Sequence, residues 1–228
     1  MDDLLSQVDV DYKENQYKYH SKEFELLGVR TNVVRKIISS IYNQIKKESE
    51  KDVYELIESL VKMKYNEYII IGFGLAHKYT KNLQEYHFRI FESWIQMYIV
   101  DWGQCDDLCC GILGKLLQKY PNLIEQTLTW TSSSNIWLRR ASAVSLIISL
   151  RLGENLNQAF KVADILLLDK EDMVQKGYGW MLKEASKKFQ NEVFGYVMNH
   201  KSNMPRTALR YAIEKMPTDL KKQAMKKA

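Results

Sequence analysis

Apolar residues recur at three- and four-residue spacing through almost the whole chain, and strict alternation never persists for long. That period predicts helices, and the polar breaks between apolar stripes place their ends. An N-terminal helix is expected over roughly Asp11 to Leu27, stopped by Gly28. The next starts after Asn32, with Val33, Val34, Ile37, Ile38, Ile41 and Ile45 as its stripe. Ser49 or Asp52 opens a third, carrying Val53, Leu56, Ile57, Leu60 and Val61. Asn66 is placed to cap Glu67 to Tyr79, and Asn82 to cap a helix running to about Val100. A long helix follows from about Gly103 to Lys119, and Pro121 opens another at a first-turn position that proline tolerates. After the polar turn Ser132 to Asn135 come helices over Ile136 to Arg151, Leu156 to Leu168 and, capped by Asp169, Lys170 to Lys188. Shorter helices over about 191–199, 205–215 and 217–227 complete the pattern.

No Asn-Gly or Asp-Gly hairpin signal interrupts this series. The fold class is therefore all-α. Helices of roughly 12 to 18 residues, joined by short polar turns and pairing about every 35 to 40 residues, predict an α-solenoid of helical repeats forming one domain over 1–228. A compact helical bundle is the alternative.

Composition narrows the function classes. Apolar residues make up 46% of the 228, enough for a substantial core, and no apolar run reaches the ~18 residues of a membrane span. The acidic start (Met1, Asp2, Asp3) is unlike a secretory leader, and Cys105, Cys109 and Cys110 form an odd, helix-bound set. A cytoplasmic protein with reduced thiols and no metal is expected. No phosphate-binding loop, dinucleotide fingerprint, zinc spacing or triad signature is present, and His20, His77, His87 and His200 are scattered.

Charge changes the picture more. Residues 1–114 hold 14 Lys+Arg against 18 Asp+Glu, a net −4, while residues 115–228 hold 19 against 10, a net +9. A basic half attached to an acidic one points to a polyanion-binding face, or to a merely solvated lysine surface.

Three constellations carry candidate chemistry. Trp102 and Asp106 lie one helical turn apart, which sets a carboxylate beside a π face; a capped helix end would look the same. Arg139 and Arg140 sit near a helix N-terminus, where the dipole disfavours cations, so each must serve a carboxylate or a phosphate. Lys176, Trp180, Lys183 and Lys187 form one basic, aromatic-centred stripe on a helix that also carries Gly177 and Gly179. Two interior glycines cost about 1 kcal/mol each relative to alanine, which implies close approach of another backbone or a ligand. The stripe suits a nucleic-acid face, or a packed tryptophan flanked by snorkelling lysines.

Taken in order, these motifs resemble the AlkD-type DNA alkylation repair glycosylases, which are built from HEAT-like helical repeats. The resemblance runs from Tyr19 through Gly28, Val29, Arg30 and Arg35, to Trp102 with Asp106, to Trp137 with Arg139, Arg140 and Ala141. It continues through Val174, Gly179, Trp180, Lys183 and Glu184 to Arg206, Arg210 and Tyr211. The family has aspartate directly after the first tryptophan, proline before the second helix and often arginine in the late tryptophan helix. This chain has Gly103, Asn32 and Lys183 at those places.

The resemblance implies a solenoid with a concave basic groove. It implies a monofunctional hydrolase that cleaves the N-glycosidic bond of N3- or N7-alkylated purines in double-stranded DNA, as a monomer without cofactor. Asp106, Trp102 and Trp180 take the catalytic places. Arg140, Arg139, Tyr19, Lys22, Lys176 and Lys183 take the DNA-binding ones. An alkylated purine is already a cationic leaving group, so no general acid is needed and the lesion is expected to stay stacked. The other reading is a non-catalytic HEAT-like scaffold that binds DNA or a protein.

Overall fold

The computed structural model describes residues 2–20 and 24–226, which divide into two compact units, Met1–Ile112 and Leu113–Ala228. The boundary falls where the charge changes sign, so the first unit carries the net −4 and the second the net +9. The protein is all-α, and among the described residues no strand forms, only isolated bridges between Val8 and Val29 and between Glu25 and Tyr65.

The first unit contains α1 (Asp2–Leu5), α2 (Val10–Tyr17), α3 (Thr31–Ile45), α4 (Glu50–Lys62), α5 (Asn66–Lys78), α6 (His87–Tyr98) and α7 (Trp102–Leu108). Buried α5 packs against α3, α4 and α7. Gly74 lets Ile38 of α3 come so close that a β-carbon there would lie 2.5 Å from its Cδ1. Trp94 of α6 is stacked with Phe73 and tilted against Phe91, all of them buried. Each such ring contributes about 1.5–3 kcal/mol by leaving water. Ser49 caps α4 as expected, its hydroxyl accepting from the Asp52 N–H at 3.2 Å.

Asn66 is the first residue of α5 rather than its cap, Asn82 lies in a 3₁₀ turn ahead of α6, and two larger expectations for this unit are also corrected. The first helix ends at Tyr17 rather than Leu27, and residues 24–30 run extended, with Phe24, Leu26 and Val29 buried. Three consecutive backbone N–H groups, those of Leu27, Gly28 and Val29, donate to the buried carboxylate of Glu67 at 2.8–2.9 Å. A carboxylate on α5 thus replaces the helical bonds of this stretch. Gly28 turns the chain there at φ +102°, a conformation that suits glycine.

The helix expected over 103–119 is also interrupted. A wide turn over Cys109–Leu113 separates α7 from α8 (Gly114–Lys119), with Gly111 at φ −100° and ψ −107°. The His77 ring occupies the space that a β-carbon on Gly111 would need, 2.2 Å away.

The second unit continues with α9 (Leu123–Thr127), a 3₁₀ turn over Leu128–Ser132, α10 (Ile136–Val144) and α11 (Ile147–Leu152). It ends with α12 (Leu156–Leu166), α13 (Asp172–Ala185), α14 (Gln190–His200), α15 (Arg206–Ala212) and α16 (Thr218–Met225). The single helix expected over 136–151 is broken at Ser145 and Leu146 into α10 and α11. Asn135 caps α10 through both the Trp137 and Leu138 N–H groups.

α13 is the spine of this unit and touches α10, α11, α12, α14 and α15. Its glycines explain that packing. A β-carbon on Gly179 would meet Tyr211 Cβ at 2.7 Å and the Ala208 carbonyl oxygen at 2.8 Å. One on Gly177 would meet Arg140 Cγ at 3.1 Å. Backbone, not ligand, is what approaches Gly179. Gly179→Ala is therefore expected to lower stability by about 1–3 kcal/mol, because Ala208 is backbone and cannot yield cheaply. Urea unfolding checks this: an unchanged midpoint would mean that α15 moves freely away.

Candidate active site

α7 begins where Asp101 takes the N-cap. Its Oδ1 accepts from the Gly103 N–H at 2.8 Å, and its Oδ2 stands 3.1 Å from His20 Nδ1. Asp101 is buried, with Oδ1 capping the first turn and Oδ2 facing His20. Gly103 leaves the Asp101 carboxylate room, since a β-carbon there would lie 3.3 Å from Oδ1. Gln104 secures the same turn by accepting from the Val100 N–H and donating to Asn66.

Trp102 stands at the head of α7, 39% exposed. Its ring is parallel to that of His20, with centroids 6.0 Å apart, and His20 in turn stacks on buried Phe24 at 3.9 Å. The exposed indole thus lies at the end of a column of three near-parallel rings. Asp106, one turn further on, is half-buried beside the sulfur cluster, where its charge helps raise the pKa of the already buried Cys109 thiol.

A cavity of about 810 Å³ opens along the neighbouring face of α7, between α2, α3 and α5. Tyr12, Tyr19, His20 and Trp102 give it aromatic walls, and Arg35, His77, Lys78, Asp101 and Asp107 give it charge. Tyr19 is 73% exposed at its edge. Asp106 is not among the lining residues; its neighbour Asp107 is. Asp107 is exposed to water at the cavity mouth, although protein atoms surround its carboxyl on most sides. That desolvation raises its pKa from 3.8 to about 6, against the opposing pull of the Arg35 guanidinium.

A pH dependence follows from this shift. A carboxyl with a raised folded pKa contributes stability that is complete below 3.8 and lost as pH rises through about 6. Asp107→Asn is expected to match the wild type below pH 4 and to exceed it at pH 7–8. Urea midpoints across that range check the difference, and a gap that does not vary with pH would contradict it.

In the second unit the cations of α10 and α13 are largely tied to acids. Arg139 donates to Asp169 at 2.7 Å and to the Ser133 carbonyl at 2.8 Å, so carboxylate pairing answers its position near the start of α10. Arg140 is buried, 4% exposed, against Gly177 and donates to the Met173 carbonyl. Lys176 pairs with Asp172 at 2.6 Å, and Lys183 pairs with Glu214 at 2.9 Å. Half-buried Trp180 donates its indole N–H to Glu184 at 3.3 Å. Burial pushes the Glu184 carboxyl up, but Arg151 and Lys187, at 2.8 and 2.7 Å, outweigh it and hold the pKa below the ordinary 4.5. Lys22 lies outside the described residues.

The structure thus gathers Tyr19 and Trp102 at one cavity of the first unit. It also gathers Arg139, Arg140, Lys176, Trp180 and Lys183 on two packed helices of the second. Sequence reasoning missed Asp101 and Asp107. Asp101 was legible as an acidic cap just before the helix, whereas nothing in the chain separates Asp107 from Asp106.

These features define an all-helical fold whose first unit carries a tryptophan-headed helix, and solved structures share the fold. A protein from Enterococcus faecalis, described as a predicted DNA alkylation repair enzyme, matches with a TM-score of 0.83 at 15% identity, over 93% of this chain and 98% of that one. AlkD2 from Streptococcus mutans matches with 0.64 at 19% identity, over 92% and 99%. The protein smu.31 of the same species matches with 0.62 at 18%, over 93% and 98%. At such identities the likeness is one of fold. A search of curated proteins finds no match. The family model for DNA alkylation repair enzymes matches residues 1–216, and the chain belongs to that family.

Proposed function

We propose that this member of the DNA alkylation repair family is a monofunctional DNA glycosylase that hydrolyses the N-glycosidic bond of N3- or N7-alkylated purines in duplex DNA. The observation that carries the reading is the head of α7, where an exposed indole ends a column of near-parallel rings and a half-buried carboxylate follows one turn later.

The chemistry asks little of the protein. Alkylation has already made the purine cationic, so it departs without a general acid, and positive charge gathers on the deoxyribose as the bond breaks. Asp106 stabilises that charge and orients the attacking water, and the π face of Trp102 favours the same cation. Water adds to the anomeric carbon, its proton passes to solvent, and an abasic site remains. Trp180 contacts deoxyribose, Arg140 and Tyr19 hold the backbone, and Lys176 and Lys183 exchange carboxylate for phosphate. Partly exposed ion pairs are worth about 0–1 kcal/mol, so that exchange is cheap for Lys176.

A second reading, a DNA-binding scaffold without catalysis, draws on the acid partners of Arg139, Lys176, Lys183 and Lys187. Incubation with methylated duplex DNA across a salt series separates the two. Release of 7-methylpurine at low salt supports the glycosylase. Steeply salt-dependent binding with no release would leave the scaffold.

A further inference from the structure

Trp102 is the first residue of α7 and remains 39% exposed, so its side-chain torsions can turn the indole plane unless something outside the helix holds it. A cation gains from a π system only when it lies over the ring face, so the plane matters as much as the position. His20, beyond the end of α2, presents a ring to that plane, 8° from parallel with centroids 6.0 Å apart. His20 is itself held from two further directions. Phe24, 2% exposed, stacks on it at 3.9 Å and 10°. At its edge, Nδ1 stands 3.1 Å from Asp101 Oδ2, and a carboxylate facing that nitrogen places the ring proton there. The same carboxylate caps α7 through the Gly103 N–H at 2.8 Å. One buried group therefore fixes both the start of the helix that carries Trp102 and the ring that lies parallel to its indole. Phenylalanine at position 20 could stack equally well, but it would leave Oδ2 of a carboxylate only 1% exposed without its imidazole.

We infer that His20 is a positioning residue of the proposed glycosylase: tied to Asp101 and stacked on Phe24, it sets the plane of the Trp102 indole for the cation that forms on the deoxyribose. The inference rests on the glycosylase reading for that cation and on the ring geometry for the rest. His20 acts through Trp102 and needs no contact with the reacting atoms. An indole already in the productive plane loses no orientational freedom as the bond breaks, and that saving appears in the rate rather than in DNA affinity.

The test pairs His20→Ala with His20→Phe in the full chain. Both take the imidazole away from Asp101, so any cost to α7 is common to them, and only phenylalanine keeps a flat ring between Phe24 and Trp102. In single turnovers on a duplex carrying 7-methylguanine, His20→Ala is expected to slow release about 10–100-fold with DNA affinity unchanged, as a small misplacement of a catalytic group does. His20→Phe is expected to recover most of that loss. Fluorotryptophan-labelled protein without DNA reports the indole itself. The Trp102 fluorine resonance, identified by its absence in Trp102→Phe, is expected to move in His20→Ala and to stay near its wild-type position in His20→Phe. Equal rates in the two variants, an unmoved Trp102 resonance in His20→Ala, or matching losses of rate and affinity would each overturn the inference. No release by the wild type would overturn the glycosylase reading and the catalytic purpose of His20 with it. The fluorine spectra, which need no base release, tell that outcome from a failure of the ring support.

Discussion

Asp106→Asn is expected to lower the single-turnover rate of 7-methylguanine release by about 10²–10³-fold while leaving DNA affinity unchanged. That is the size of effect found when one preorganised electrostatic partner of a transition state is removed. The side chain keeps its shape in asparagine, and α7 stays capped by Asp101, so the helix itself should be undisturbed. The loss then falls on the rate and not on binding, because the charge that Asp106 meets exists only as the bond breaks. Equal losses of rate and affinity would mean instead that Asp106 is a DNA contact or a structural support. The half-buried position of Asp106 beside Cys109 makes that comparison necessary.

Glu67→Ala is expected to destabilise the first unit by about 3–5 kcal/mol. The buried carboxylate accepts three backbone N–H groups, and truncation leaves all three donors unsatisfied in a dry site. Glu67→Gln should cost less, because the amide oxygen can still take the two bonds now made by Oε1 to Gly28 and Val29. Its NH₂ group would then confront the Leu27 N–H. The effect reaches the site through Phe24, which lies in the extended segment that Glu67 holds and supports the His20 and Trp102 rings. Urea unfolding measures the stability, and tryptophan emission reports the loosened column. A loss below about 1 kcal/mol in Glu67→Ala would show that water replaces the carboxylate.

Much of this framework could be read from the chain. The stripes of α3 and α4, the cap at Ser49 and the glycine-dependent packing of α13 are local or periodic signals, and the structure bears them out, whereas the caps expected at Asn66, Asn82 and Asp169 do not form: α5, α6 and α13 begin after Tyr65, Tyr86 and Glu171. What could not be read depends on partners distant in sequence. Residues 24–30 are extended because a carboxylate some 40 positions later takes their N–H groups. The helix after Trp102 departs from helical geometry at Gly111, where the His77 ring lies against the backbone. Arg139 pairs with Asp169 at 2.7 Å, one of the two kinds of partner that its position alone left open. Adjacent Asp106 and Asp107 show the limit most plainly: a step of one residue rotates a helical side chain by about 100°, which is enough to put one in the cavity wall and the other outside it.

The most direct measurement is product analysis on a duplex carrying a single 7-methylguanine, incubated with excess wild-type protein. The account predicts one free 7-methylguanine for each abasic site formed, with both strands otherwise intact. Bound duplex that releases no base at saturating protein would contradict it.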